Sequence, residues 1–561
     1  MLGLTAPAAD SKKPAAGVKR PAADNKKPAA NVTAAVMHRI MPVAQNRQRG
    51  RNLNHQTSRL LATILLLLTA LPLCAQVDLA LIGGRVMDPE TGLDATRNVG
   101  IRGNRIVEIT ELPIAAVRSI DVSGLIVAPG FIDLHAHGQT NAANEYQARD
   151  GVTSALELES GIYPLTRWLE SRRGNAIVNY GATASHSAAR AQAMQKYALK
   201  FAQLRRLLAQ ESSQEDDRGN ARAATASQAI SEFLSIELAP SVYDSLASGE
   251  IRQMNQALQR ELEAGALGVG LPVGYQPGAT REEIFGLFEF AGQIQAPIFV
   301  HVRDPGIPGI QEVIANATVT GAPLHIVHVN SMALGKIALA IDLVEAAQAT
   351  GHDVTTELYP YTAGSTLLES ALFDEGWQQR LGNIGYADIQ WQDTGERLTA
   401  DSFERYREQG GVVIIHMMRE EWIDAGIARE SVMIASDGMP YAPGAHPRSA
   451  GTFSRVLGRY VRERGTLDLM SALQKMTLMP ADRLADIAPG MRLKGRLQVG
   501  ADADITVFDA DRIIDTATFE ADLSFSHGIE YVLVNGTLVV DGGQSVKNVF
   551  PGRAIIGKYK R

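Results

Sequence analysis

Four histidines and one aspartate stand where short apolar runs end. Residues 131–134 (Phe-Ile-Asp-Leu) lead into His135-Ala136-His137, residues 297–300 into His301, residues 323–327 into His328, and residues 432–435 into Ser436-Asp437-Gly438. On extended backbone, residues i and i+2 project to one side, so His135 and His137 can reach a single ion. Each feature alone has a bland explanation: a histidine after a strand is commonly a satisfied surface residue, and Asp-Gly is a common turn. Together they form a set of nitrogen and oxygen donors suited to zinc or a similar divalent ion.

Such a set needs elements that bring distant strand ends together. Apolar runs at 131–134, 154–158, 176–180, 268–271, 297–300, 323–327, 353–358, 412–415 and 432–435 alternate with amphipathic helical stretches at 242–266, 281–295 and 332–350. This alternation implies a parallel sheet, and the number of runs suits an eight-stranded (β/α) barrel, whose chemistry sits at the C-terminal ends of its strands. Nine runs are one more than the barrel needs, so one lies outside it. Short strands at 77–82, 85–87, 98–101, 105–109 and 125–128 precede the barrel. Others at 504–508, 529–534 and 537–540 follow it, the last two split by the hairpin signal Asn535-Gly536. The two sets imply a small β-sandwich domain built from both chain ends. The expected divisions are a basic Ala/Pro/Lys-rich tail (1–57), a signal peptide (58–75), the first β part (76–128), the barrel (129–485), the second β part (486–548) and a C-terminal tail (549–561).

Composition narrows the function classes. Of 561 residues 45% are hydrophobic and only one is cysteine, which excludes an intrachain disulfide framework and a Cys-rich zinc module. The formal charge of −7 divides into +9 over residues 1–75 and −16 over the rest, so the body of the chain is no general nucleic-acid binder. Residues 12–30 repeat a Lys/Arg-Pro-Ala-Ala unit at seven-residue spacing; the prolines break any heptad helix and leave a solvated tail. A basic flank (Arg47, Arg49, Arg51, Arg59) then precedes the apolar run 60–73 and Cys74-Ala75-Gln76. That run is short for a bilayer span of roughly 20 residues and resembles a secretory signal cut after Ala75. A membrane anchor and a lipoprotein signal using Cys74 are the alternatives. Cleavage after Ala75 implies a secreted or periplasmic protein that carries no thiol and no membrane segment.

The residues resemble those of the amidohydrolase superfamily, and within it the N-acyl-D-amino-acid deacylase (D-aminoacylase) family. The resemblance rests on Pro129-Gly130-Phe131-Ile132-Asp133-Leu134-His135-Ala136-His137, Gly151-Val152-Thr153-Ser154, His301-Val302-Arg303, Tyr359-Pro360-Tyr361-Thr362-Ala363 and Ser436-Asp437-Gly438. It continues through His446-Pro447-Arg448, residues 451–458 (Gly-Thr-Phe-Ser-Arg-Val-Leu-Gly) and residues 495–504. It spans roughly residues 77–545. It implies one metal position at His135, His137 and Asp437 and another at His301 and His328. One or two divalent ions, zinc by the resemblance, would activate a water that attacks the amide carbonyl of a small-molecule substrate. Asp437 would act as general base and pass the proton to the leaving amine. Arg303 and Arg448, with Tyr359 and His446, would hold the substrate carboxylate.

One departure matters. The family places a cysteine ligand just past the second barrel strand, where Ser160 stands here. Glu157-Leu158-Glu159 precedes it, and Glu159 is the expected bridging ligand, with Glu157 in reserve. Asn330 also replaces a family lysine two residues after the sixth-strand histidine. Two other enzymatic readings keep the metals and change the substrate, to a cyclic amide as in dihydroorotases and hydantoinases, or to a dipeptide or cell-wall fragment. A non-enzymatic binding protein on the same barrel is the third alternative. N-terminal sequencing of the exported protein is expected to begin at Gln76; any other first residue overturns the cleavage expectation.

Overall fold

The computed structural model describes residues 76–212 and 239–560. The basic tail, the apolar run 60–73 and the expected cleavage point lie outside the described residues. Among these, no helix is long and apolar enough to cross a membrane.

Eight strands pair in parallel and in chain order: Phe131–Asp133, Val152–Ile162, Asn179–Ser185, Val269–Pro272, Ile298–His301, Leu324–Ile326, Val354–Leu358 and Val432–Ile434. They form a nearly closed barrel surrounded by helices. The ring closes just beyond the first and last strands, through a parallel bridge between Ala136 and Gly438 and a 2.8 Å bond from His137 N–H to the Gly438 carbonyl. Several strands, such as Ile298–His301, are buried at every position, as strands covered on both faces must be. The helices supply the outer layer. In Arg281–Ile294, Thr280 caps the Glu283 N–H at 3.1 Å, and Ile284, Leu287, Phe288 and Ala291 form the buried stripe.

Two expectations are redrawn here. The ninth apolar run, Val412–Ile415, pairs antiparallel with Gly364–Leu367 and Ile389–Trp391 in a separate three-stranded sheet. Four apolar residues fit either setting, and only the partners decide. The third barrel strand begins at Asn179 rather than 176, because the Ala176 carbonyl is already used by Gly552 N–H at 2.9 Å.

Both chain ends build one nine-stranded mixed sheet. Its two halves meet where Ile505–Phe508 runs antiparallel to Ile126–Pro129. The segments expected at 77–82 and 85–87 are one strand, Val77–Asp88, irregular at Gly83-Gly84. Ala116–Asp121, which the sequence reading missed, joins it in parallel; it is polar and mostly exposed, and carries no alternation. The last residues run back over the barrel: Tyr180 N–H bonds the Arg553 carbonyl at 3.1 Å, Ile555 N–H the Tyr180 carbonyl at 2.7 Å, and Gly557 N–H the Gly265 carbonyl at 3.0 Å.

A buried polar joint ties sheet to barrel. Asn179 Nδ2 donates to Asp504 Oδ2 and to the Thr153 carbonyl, each at 3.0 Å. Its Oδ1 accepts from Asn535 Nδ2 at 2.7 Å and from Arg553 N–H at 3.0 Å. Lys494 Nζ completes the charge balance at Asp504. Asn179→Ala strands several buried groups and is expected to lower unfolding free energy by about 2–4 kcal/mol. Chemical denaturation measures this, and a change below about 0.5 kcal/mol refutes the joint's role.

Candidate active site

The strand ends converge at one mouth of the barrel. Glu159 lies at the centre. Its Oε2 is 2.9 Å from His135 Nε2 and 3.1 Å from His137 Nε2, while its Oε1 is 2.7 Å from His301 Nδ1 and 3.5 Å from His328 Nε2. Asp437 Oδ1 closes the first group, 3.5 Å from His135 Nε2 and 3.4 Å from His137 Nε2. Two clusters of possible ligand atoms result, His135/His137/Glu159/Asp437 and Glu159/His301/His328, with Glu159 common to both.

The backbone explains how Glu159 reaches that position. The second and third barrel strands slip register between Glu157 and Ile162, where residues 158–161 bulge out of the ladder. A bulge re-aims side chains. Gly161 takes φ +67°, and a Cβ there would lie 2.7 Å from the Ser185 nitrogen. Gly270 accepts the bulge from the other side, since a Cβ on it would lie 2.5 Å from the Glu159 carbonyl oxygen. Two more of the converging residues have left-handed backbone, His328 at φ 34° and Asp437 at φ 51°. Strain of this kind in non-glycine residues persists where the surroundings over-determine it.

Outer partners orient the imidazoles. Glu157 accepts from His137 Nδ1 at 2.7 Å, Glu357 from His135 Nδ1 at 2.7 Å, and Ser331 Oγ lies 3.0 Å from His328 Nδ1. With Nδ1 so engaged, each ring turns its Nε2 inward, the arrangement that metal-binding histidines adopt. Glu157 is thereby committed to His137 and to the Ser160 N–H at 3.1 Å. Glu357, on the seventh strand, is joined from behind by His325 Nε2 at 3.1 Å, whose Nδ1 meets Thr355 Oγ1 at 2.8 Å. Neither Glu357 nor His325 was assigned to the site from sequence. The available signal was a glutamate closing the β-branched run Val354-Thr355-Thr356.

Electrostatics match the geometry. Burial pushes the Glu159 carboxyl up, but the His135 charge and hydrogen bonds from three histidines outweigh it and hold it well below the usual carboxylate range. Burial likewise pushes Asp437 up, and the Arg448 guanidinium with His135 pulls it below that range. Glu357 is brought down to about 2, its bonds to His135 and His325 overcoming burial. His135 and His137 end well above the ordinary imidazole value, because neighbouring carboxylates outweigh burial. His301 Nε2 is buried without a hydrogen-bond partner. Acidic groups held anionic, imidazole Nε2 atoms turned inward and an unpartnered ring nitrogen fit a divalent cation, which would take the place of the protons that His135 and His137 hold without it.

The expected substrate residues divide. Arg448 is buried behind Asp437, with Nη1 2.8 Å from Asp437 Oδ2 and its guanidinium 4.6 Å from the Tyr359 ring centroid; neither it nor Tyr359 lines the cavity over the cluster. Arg303 is instead held by Glu312 at 3.2 and 3.1 Å and by the Ala279 carbonyl at 2.7 Å, and it does not line the cavity. His446 does not line it either. Its Nε2 meets the Ala363 carbonyl at 2.9 Å and its Nδ1 accepts the Arg448 N–H at 3.0 Å, so it fixes the backbone that carries Arg448. Asn330 bonds the Tyr359 carbonyl at 3.1 Å. His186 pairs with Glu283 and His416 with Gln390, both away from the cluster.

A cavity of about 510 Å³ opens over His137, Glu159, His328 and Asp437. Its walls include Tyr275, missed from sequence, whose hydroxyl bonds Thr366 Oγ1 at 2.9 Å.

Comparison with known proteins agrees with this picture. A family model described as "Amidohydrolase family" matches residues 118–540. The chain is 32% identical to the N-acyl-D-glutamate deacylase of Alcaligenes xylosoxydans xylosoxydans over 506 residues, covering 86% of this chain and 96% of that protein. It is 30% identical to the D-aminoacylase of the same organism over 514 residues, covering 82% and 94%. A crystal structure of N-acyl-D-glutamate deacylase from Bordetella bronchiseptica, complexed with zinc and a phosphonate inhibitor, superposes with a TM-score of 0.69 at 26% identity, covering 86% of this chain and all of that one.

If Glu159 is shared by two metal positions, Glu159→Ala should lose most bound metal. Glu357→Gln should weaken affinity about 10- to 100-fold through His135. Metal analysis and chelator competition measure both, and wild-type metal content in Glu159→Ala refutes the bridging assignment.

Proposed function

The chain belongs to the amidohydrolase family, and from that premise we propose that it is a zinc-dependent deacylase of N-acyl-D-amino acids. The observation that carries this reading is the buried Arg448, stacked on Tyr359 and paired with Asp437. It puts a fixed cation beside the candidate base, where an amide substrate bearing an α-carboxylate gains most. The two deacylase relatives, each about 30% identical over most of the chain, support the same substrate class. Export, through the signal expected over residues 58–75, belongs to the same proposal.

His135, His137, Glu159, His301, His328 and Asp437 would hold the metal. A bound divalent ion supplies Lewis acidity, polarising a carbonyl and lowering the pKa of water toward about 7. The protein's own groups do the rest. Arg448 holds Asp437 Oδ2, which leaves Oδ1 facing the cluster as the atom that takes a proton from the attacking water. A carbon–oxygen bond forms, the carbon–nitrogen bond breaks, and Asp437 returns its proton to the leaving nitrogen. The products are a carboxylate and a free amino acid.

The metal-loaded protein is expected to hydrolyse N-acyl-D-amino acids and to spare the L-forms and hydantoin. Asp437→Asn should lower kcat by roughly 10²- to 10⁴-fold while metal stays bound. Equal rates on D- and L-substrates, or full turnover in Asp437→Asn, sink the proposal.

A further inference from the structure

A second cavity, of about 410 Å³, adjoins the first. The two share the walls Gly161, Ser185, Ser187, Ala239, Val242 and Gln276, and a 2.9 Å bond from Gln276 Nε2 to Ser187 Oγ spans their junction. Beyond the junction the lining is mostly apolar, with Ile162, Ala188, Ala191, Phe201 and Leu204 beside Tyr163 and Ser241. Small side chains make the room, and large ones close its end.

The chain invests structure in this space. Among the described residues, the connection from the third to the fourth barrel strand carries three α-helices, His186–Ala193, Ala198–Ser212 and Ser248–Ala264, an insertion beyond the single crossover helix such strands need. Phe201 and Leu204 come from that insertion, on the helix Ala198–Ser212. The shared wall is pinned by a buried charged group. Arg190 donates from Nη1 to the Ser241 carbonyl and also bonds the Asp244 carbonyl. Its Nε meets Glu283 at 2.8 Å, and Glu283 meets His186 at 3.1 Å. Arg190, His186 and Glu283 are all at most 1% exposed, so the wall is fixed in place.

Position within the ring indicates what the space takes. Arg448 and Tyr359 follow the eighth and seventh strands; the second cavity lies over the second, third and fourth, across the barrel mouth. With the substrate's α-carboxylate toward Arg448 and its amide at the cluster, the acyl group points at the second cavity. Each cavity alone is large enough for a small ligand, roughly 300–1,000 Å³ being the usual range; an acetylated amino acid would leave the second one empty. The geometry points to an acyl-chain subsite, and the substrates are amino acids carrying a medium or long aliphatic N-acyl group. This rests on the deacylase reading for the amide, and on the cavity alone for the chain.

The test compares N-acetyl- through N-decanoyl-D-leucine on metal-loaded enzyme, and measures decanoate and acetate binding by calorimetry. The expected result is a kcat/KM that rises about fourfold per added methylene over several carbons, with decanoate binding far tighter than acetate. Ala188→Phe, at a partly exposed helix position inside the second cavity, should cut the decanoyl-to-acetyl ratio of kcat/KM at least tenfold and weaken decanoate binding; circular dichroism verifies its fold. Flat or falling kcat/KM with chain length, or decanoate binding no tighter than acetate, overturns the subsite whatever the variant does. No turnover of any acyl-D-leucine, with tight decanoate binding that Ala188→Phe weakens, overturns the deacylase reading and upholds the subsite.

Discussion

Burying four carboxylates and four imidazoles in one barrel mouth is the constraint around which the rest is arranged. An isolated charge in such a place costs several kcal/mol, so every one of these groups needs a counterpart. Glu159 meets this need by standing between two pairs of histidines, and Asp437 by lying between histidines and Arg448. Glu157 and Glu357 add charge of their own, yet they serve by turning His137 and His135 so that the inner nitrogens face one point. The strained backbone at His328 and Asp437 is tolerated because the same network holds it.

A glutamate in place of a thiolate changes the character of such a centre. A sulfur atom presents one soft donor. The Glu159 carboxylate presents two hard oxygens, already directed to different histidine pairs 2.7–3.5 Å away. Delivery of those oxygens depends on a local defect in the ladder, the bulge at residues 158–161, and on glycines at 161 and 270 that let two backbones approach closely. The carboxylate and its backbone setting therefore form one unit.

Much of this was legible in the amino-acid order because barrel chemistry sits at strand ends, and a strand end can be read from an apolar run followed by a polar residue. His135, His137, His301, His328 and Asp437 were all found in that way. Glu159 was reached by comparing Ser160 with a family pattern and noting which neighbours could ligate. Direction in loops was not legible. Arg303 follows His301 by two residues, but an acidic partner on the next helix claims it. His446 sits beside Arg448, but both its nitrogens are used by backbone. Glu357 escaped notice, and His325 could be read only as packed or surface on the other face of its strand, since a polar residue within a strand discloses no partner until the barrel closes. Val412–Ile415 shows the same limit for apolar runs, whose sheet is set by their neighbours in space.

The interleaving of the two chain ends bears on how the molecule comes into being. The central pair of the mixed sheet joins residues 126–129 to 505–508, the barrel ring shuts between 136 and 438, and residues 552–557 lie along strands and loops laid down hundreds of positions earlier. Contacts of such long sequence separation form slowly. A chain holding only the first four hundred residues lacks the eighth barrel strand, Asp437 and the second half of the mixed sheet, so it can complete neither layer. Closure of both layers therefore waits on residues beyond 500. Loss of even the final dozen residues would leave the Ala176 carbonyl and both main-chain groups of Tyr180 without their partners.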